Sequence, residues 1–104
     1  MFGKIGDMMG KIQEMKKKME ETKAKLATIE VMEESTSGDV RIVMDGNRKI
    51  KSLKVSENLQ QGSNSELEAQ LISTLTKIIE KADAVNEGEM KKIAMGMLPG
   101  GGLF

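Results

Sequence analysis

The side chains with chemistry to offer in this sequence are cations. Lys11, Lys16, Lys17, Lys18, Lys23 and Lys25 recur through the first quarter of the chain, and Arg48, Lys49, Lys51 and Lys54 form a second group. Ammonium and guanidinium groups at this density displace counterions from a phosphate backbone, an attraction that needs no base-specific contact. A row of lysines is also what a solvated helix face looks like, so the position of the acids decides. Over all 104 residues the charges cancel, 16 Lys and Arg against 16 Asp and Glu. By segment they do not. Residues 1–29 carry seven Lys against four acids, and residues 30–34 add three Glu. Residues 35–56 carry five cations against two acids, and residues 57–104 four against seven. Two basic segments therefore alternate with two acidic ones.

Most other chemistry is excluded by composition. There is no Cys and no His, which removes disulfides, ordinary zinc, haem and iron–sulfur ligation, and Ser-His or Cys-His nucleophiles. Asp, Glu and Lys are the remaining acid–base groups, and no convergent set of them stands out, so neither an enzyme nor a cofactor is expected. The Gly6…Gly10-Lys11 string is one residue short of a phosphate loop, is followed by Ile12, and has no strand before it. Asp45-Gly46-Asn47 lacks the later glutamate of a calcium loop and reads as a turn. Of the ten Met, Met8, Met9, Met15 and Met19 lie on or beside a helical seam, where a flexible thioether fills irregular packing.

The type of nucleic acid follows from what is missing. Phe2 and Phe104, at the two ends, are the only aromatics, so no platform exists for stacking unpaired bases. Few Arg, Asn or Gln residues lie on the basic faces, which argues against a rich hydrogen-bonding code in the major groove. If nucleic acid is the ligand, a duplex held through its phosphates is favoured, contacted by Lys11, Lys16, Lys17, Lys18, Lys23, Lys25, Arg48, Lys49 and Lys51.

These cations need elements to position them. Ile5, Met8, Ile12, Met15, Met19, Thr22, Leu26 and Ile29 step by 3 and 4 residues, a heptad seam sustained for more than three repeats. Twenty-five helical residues span about 37 Å, so part of this helix projects beyond its own core. Lys11, Lys18 and Lys25 flank the seam on one side, Lys16 and Lys23 on the other, with Glu14, Glu20 and Glu21 toward the outer face and Lys17 opposite the seam. A parallel copy of the helix would set Lys against Lys. The seam is expected to pack on other elements, or on an antiparallel or offset copy.

Three strands follow, at about Thr28–Glu34, Asp39–Met44 and Lys49–Val55. The Asp45-Gly46 pair predicts a type I′ hairpin turn with positive φ. Ile50 is out of phase with Leu53 and Val55, which predicts a bulge near Lys51–Ser52. Glu57–Asn64 reads as a polar connection, and Ser65-Glu66-Leu67-Glu68 as a capping box that opens a second helix. Leu67, Leu71, Leu75, Ile78, Ala82 and Val85 form its stripe, widened by Ile72 and Ile79. Gly88 marks a weak point, with continuation through Lys91–Ala94, and a Gly-rich tail begins at about residue 96. The fold class is α+β, one α-β-β-β-α domain over residues 1–104. No run approaches the ~20 apolar residues of a membrane helix, and no signal-peptide region is present, so the expected location is cytoplasmic, with neither a membrane nor a small-molecule partner. With 38% hydrophobic residues the core is modest, and a self-associating protomer is expected.

The order and spacing of MFGKIGDMM, GKIQEMKKKMEE, the strand start Gly38-Asp39-Val40-Arg41-Ile42, the Asp45-Gly46-Asn47 turn and the closing MGMLPGGG cover essentially the whole chain. In these the sequence resembles the YbaB/EbfC family of small bacterial nucleoid-associated proteins. The resemblance implies a homodimer whose long helices project like tweezers. It also implies binding to double-stranded DNA in the nucleoid and a role in DNA organisation or gene expression rather than catalysis. Midway in the second helix this chain carries Thr74, Leu75, Thr76 and Lys77, where the family pattern has small Ala and Asn residues. Two competing readings remain. One is a prefoldin-like helical chaperone module, which requires two long helices of similar length. The other is a basic amphipathic helix lying on anionic lipid, which lacks aromatic anchors here.

Overall fold

A computed structural model of the chain describes residues 2–96, with side chains described from residue 7 onward. The side chain of Ile5, the first seam residue, and the tail from residue 97 lie outside the described residues. Helix α1 spans Phe2–Leu26, as the heptad spacing requires, and stops one turn before the last seam residue, Ile29. Its final carbonyls are already taken. Lys25 O accepts from the Thr28 backbone N–H at 3.0 Å and from the Thr28 hydroxyl at 2.6 Å. Strand β1, Glu30–Glu34, consequently starts two residues later than expected.

Strands β2, Val40–Asp45, and β3, Ile50–Val55, complete an antiparallel sheet in the order β1-β2-β3. Val43 opposes Ser52 while Met44 opposes Ile50, so Lys51 is the extra residue of a bulge where the break in phase predicted one. Val40, Ile42 and Met44 point to one face and are buried there. The connection after β3 is not wholly irregular. A short helix α2, Glu57–Gln61, starts at Ser56, whose hydroxyl accepts from the Leu59 N–H, and it delivers Leu59 into the core. The polar composition of the segment hides this single turn.

Helix α3 runs unbroken over Asn64–Gly96, past Gly88. It is capped two residues earlier than predicted: the Ser63 hydroxyl accepts from the Glu66 N–H at 3.2 Å, because Ser63-Asn64-Ser65-Glu66 also satisfies the Ser-x-x-Glu spacing. Ile78 and Ala82 are buried against the sheet, and Leu67, Leu71 and Leu75 pack around them. Thr74 is buried too, its hydroxyl satisfied by the Gln70 carbonyl at 2.7 Å. Ile72 and Ile79, expected to widen the stripe, remain exposed.

The β2–β3 turn is not type I′. Neither Gly46 nor Asn47 has positive φ; Arg48 does, at 67°. The Arg48 N–H donates to Asp45 O, and the Asp45 N–H donates to Lys49 O, the pattern of a tight turn closed by one left-handed residue. Gly46 is required for a different reason: a Cβ there would lie 2.8 Å from Leu26 Cδ2 and 3.0 Å from Leu26 O. The Gly46 N–H donates to Leu26 O at 3.0 Å, the Asn47 side-chain amide to Lys23 O at 2.9 Å, and the Asn86 amide to Gly46 O at 3.1 Å. The turn thus closes the C-terminus of α1 and ties it to α3. Asp45 Oδ1 accepts from the N–H groups of Asn47 and Lys49 beneath it. Asp45 Oδ2 is buried without a hydrogen bond, with Lys51 Nζ at 3.7 Å.

Gly46→Ala should destabilise the protein by about 1–3 kcal/mol, the range for overpacking a filled site. Gly88→Ala, where a Cβ meets nothing within 4 Å, should stabilise it by about 1 kcal/mol through helix propensity. Urea unfolding measures both, and equal midpoints for the two variants would contradict the close approach at Gly46.

Four carboxylates are held below their ordinary values: Asp45 chiefly by the Lys49 backbone N–H, Asp39 by the Ser56 hydroxyl, Glu33 by Lys81, and Glu89 by Lys92 and Lys25. A group whose pKa is lowered by folding contributes stability that is complete above its unfolded value and lost as pH falls through the folded one. The melting temperature should therefore be flat from neutral pH to about 5 and fall below about pH 4. Melts across that range check it, and a loss already complete at pH 5 would contradict it.

Candidate nucleic-acid interface

Among the described residues, helix α1 meets α3 and the hairpin near its C-terminal end. Lys25 Nζ lies 3.2 Å from Glu89 of α3, while Lys18, Glu21 and Thr22 line a groove with Lys92, Ile93 and Gly96. The two helices therefore run antiparallel, and the part of α1 before Lys18 extends past the described end of α3. The molecule measures 69 × 24 × 20 Å, with a radius of gyration of 20.0 Å, against about 13 Å for a compact chain of this length.

This geometry distributes the candidate cations unevenly. Lys11, Lys16 and Lys17 stand exposed on the projecting part of α1, and Lys23 is exposed at its last turn. Lys18 pairs with Glu14 at 3.5 Å. In the hairpin Lys49 is exposed, Arg48 Nη1 bonds Asp83 of α3 at 2.9 Å, and Lys51 lies against Asp45. Among the described residues no carboxylate lies within ion-pair distance of Lys11, Lys16, Lys17, Lys23 or Lys49. Lys25 and Arg48 instead fasten α3 to α1 and to the hairpin, so phosphate would have to compete with Glu89 and Asp83 for them.

The two basic segments, separate in sequence, meet in space. Asn47 bonds the carbonyl of Lys23, which sets Arg48 and Lys49 beside the last turn of α1. Lys17 faces away from the seam and does not join either flank. The strand register adds a pair left out of the candidate set: Arg41 and Lys54 oppose one another directly on the face of the sheet away from α3. Their proximity depends on a register that residue types alone do not set. Arg41 is shared with Glu34 at 3.5 Å.

Beside the cations runs an uncovered apolar stripe. Met8, Met9, Ile12, Met15 and Met19 retain 40–63% of their surface, whereas Leu26, further along the same seam, is buried. A second cleft, between the β1–β2 turn and α3, is lined by Ser35, Thr36, Ser37, Glu66, Gln70 and Ser73; there the Ser37 hydroxyl donates to Gln70 Oε1 and the Gln70 amide donates to the Glu66 carboxylate. Among the described residues no group of three or more carboxylates is placed to hold a metal ion, and no helix is long and apolar enough to cross a membrane.

The sequence matches the YbaB/EbfC DNA-binding family over residues 1–97. It is 41% identical to a nucleoid-associated protein of Flavobacterium johnsoniae over 74 residues, which is 71% of this chain and 69% of that protein. It is 30% identical to a nucleoid-associated protein of Hahella chejuensis over 95 residues, 91% and 88% of the two chains. In three dimensions it is similar to an uncharacterised protein, HP0035, of Helicobacter pylori, with a TM-score of 0.63 and 23% identity, covering 84% of this chain and 98% of that one; this likeness is one of fold. With the match spanning both long helices and the whole sheet, the chain belongs to the YbaB/EbfC DNA-binding family.

Proposed function

We propose that this protein binds double-stranded DNA through its phosphates as a homodimer, in the nucleoid of a bacterial cytoplasm, and organises DNA or modulates gene expression without catalysing a reaction. The observation that carries the reading is the set of lysines with no acidic partner among the described residues, Lys11, Lys16 and Lys23, on both flanks of a helix that projects from the fold. Lys17 adds charge from the far side. Lys49 extends the surface at the hairpin, with Arg48, Lys18, Lys25 and Lys51 close by in ion pairs. Each phosphate neutralised releases counterions, which gives affinity with little sequence preference.

The triple variant Lys11→Glu, Lys16→Glu, Lys23→Glu leaves the Lys25–Glu89 and Arg48–Asp83 bridges intact. It should weaken binding to unrelated duplexes alike, and lower the slope of log affinity against log salt by about 0.9 for each phosphate that is no longer neutralised. Gel shifts across a salt range measure it. An unchanged slope in a folded variant would refute the assignment of these lysines.

The second copy has a surface to occupy that is separate from α1. Lys81 of α3 bonds Met32 O and Glu33 over β1, while Asp83 reaches Arg48 on the hairpin side. The flank that carries Ile72, Leu75 and Ile79 shares its helical stripe with Asp83, and so faces β3. There Leu53 and Ile50, paired with the buried Ile42 and Met44, share the helix-side face of the sheet but remain 50% and 54% exposed. This strip of Ile50, Leu53, Ile72 and Ile79 lies where α3 fails to cover β3, and a second protomer would bury it. Leu53→Glu with Ile79→Glu should convert the dimer to a folded monomer, read by light scattering and circular dichroism. A mass that does not change would refute this interface.

One observation favours the chaperone-type reading: α3 passes Gly88 without a break, so both helices are long. Against it, the central turns of α3 are buried on the sheet at Thr74, Ile78 and Ala82. Client capture insensitive to salt, with no shift of DNA, would decide for it.

A further inference from the structure

The stripe of Met8, Ile12, Met15 and Met19 is not absorbed by the phosphate reading, and lysines border it on both sides. We infer that α1 lies in the major groove of duplex DNA with this stripe on the groove floor, against the methyl groups of thymine, while Lys11 and Lys18 reach one phosphate wall and Lys16 and Lys23 the other. The inference rests on the proposed duplex binding and adds to it the part of the DNA that is read.

Charge complementarity selects the occupant. A second α1 would set lysines against lysines in a parallel pairing, where one flank faces the other, and, against the expectation of an antiparallel copy, in that orientation too, where each flank faces its own copy. Two rows of phosphate on either side of an uncharged floor match two rows of lysine on either side of an apolar stripe. Glu20 lies on the outer side of the helix, Glu14 pairs with Lys18, and Glu21 lines the groove toward α3, so none of the three lies on that floor. The dimensions agree, with a helix about 10–12 Å across including side chains and a groove about 12 Å wide. From Met8 to Met19 the stripe is about 17 Å long at 1.5 Å per residue. Among base edges in this groove the thymine C5-methyl is the apolar one, and thioether and aliphatic side chains can meet it without hydrogen bonds. A preference for thymine-bearing steps therefore needs none of the Arg, Asn or Gln residues that the basic faces lack. An anionic lipid surface also accepts a lysine-bordered stripe, but the stripe carries no aromatic anchor of the kind that seats such helices.

The test compares one A·T-rich duplex with the same duplex in which uracil replaces every thymine, so that only the C5-methyl groups are removed. The full-length protein should bind the uracil duplex about fourfold or more weakly, the transfer value of a single buried methyl, with the same salt slope. Ile12→Gln with Met15→Gln, both exposed in the fold, should bring the two affinities together and leave the slope intact. Lys16→Gln with Lys23→Gln should lower the slope and keep the ratio. Equal affinity of the wild-type protein for both duplexes would overturn the inference while leaving phosphate binding in place, as would a ratio that survives Ile12→Gln with Met15→Gln. Equal affinities together with binding to phosphatidylglycerol vesicles that this double variant abolishes would assign the stripe to lipid. No binding to either duplex at low salt would overturn the proposed function along with the inference.

Discussion

The position of the long helix depends on one close approach, that of the Asp45-Gly46-Asn47 turn to the C-terminus of α1. The last carbonyls of a helix have no partner within it and must find one elsewhere. Here Gly46 and Asn47 supply donors to Leu26 and Lys23 from a different element, and Leu26 closes over Gly46 with no room for a side chain. The buried Asp45 holds the turn in shape by accepting two of its N–H groups. The same approach therefore ends α1, orients it, and sets the hairpin cations beside its final lysines. Asn86 links the turn to α3, so three elements meet at one peptide.

A chain with this few aromatic residues cannot bury all its apolar surface at once. The core is a single layer, the central strand β2 against α3, with Leu59 closing one end. Two regions are left over, and they differ in their surroundings. The strip of Ile50, Leu53, Ile72 and Ile79 continues the core sideways over an edge strand, as an interface between copies would. The stripe on α1 stands apart from the core between rows of lysine, where another copy of the helix is repelled. Apolar area alone would not tell these surfaces apart; their charged borders do.

The elements were legible in the sequence wherever a periodic pattern ran for several turns. The alternation of Val40, Ile42 and Met44 and the stripe of α3 each report on one buried face, and the heptad of α1 reports on a helix whose seam is buried at Leu26 and exposed from Met8 to Met19. The Ile50 phase break even located the bulge at Lys51. What failed were features set by contacts between elements. Gly46 looked like a residue chosen for positive φ, but that burden falls on Arg48, and Gly46 answers to Leu26, twenty residues away in sequence. Ser63 and Ser65 both satisfy a capping spacing, and nothing local to them chooses. Leu59 lies in a polar stretch without a period, so its burial left no pattern. For the candidate site, the two flanks of lysine were legible because helical geometry fixes them. The ion pairs of Lys25 with Glu89 and Arg48 with Asp83 were not, because they join residues 64 and 35 positions apart.

Those pairings explain how a protein of zero net charge presents a basic surface. Two acids of the C-terminal half are used at home: Glu89 holds Lys25 and Lys92, and Asp83 holds Arg48. In β1, Glu33 holds Lys81. Each such pair neutralises a cation at a joint of the fold. The lysines on the projecting part of α1 are farthest from these joints, and Glu14, their nearest acidic neighbour in an ion pair, takes Lys18 alone. Exposed pairs of that kind are worth little and yield readily to a stronger anion. The fold thus carries exposed positive charge on a helix that reaches outward, and uses negative charge to hold that helix in place.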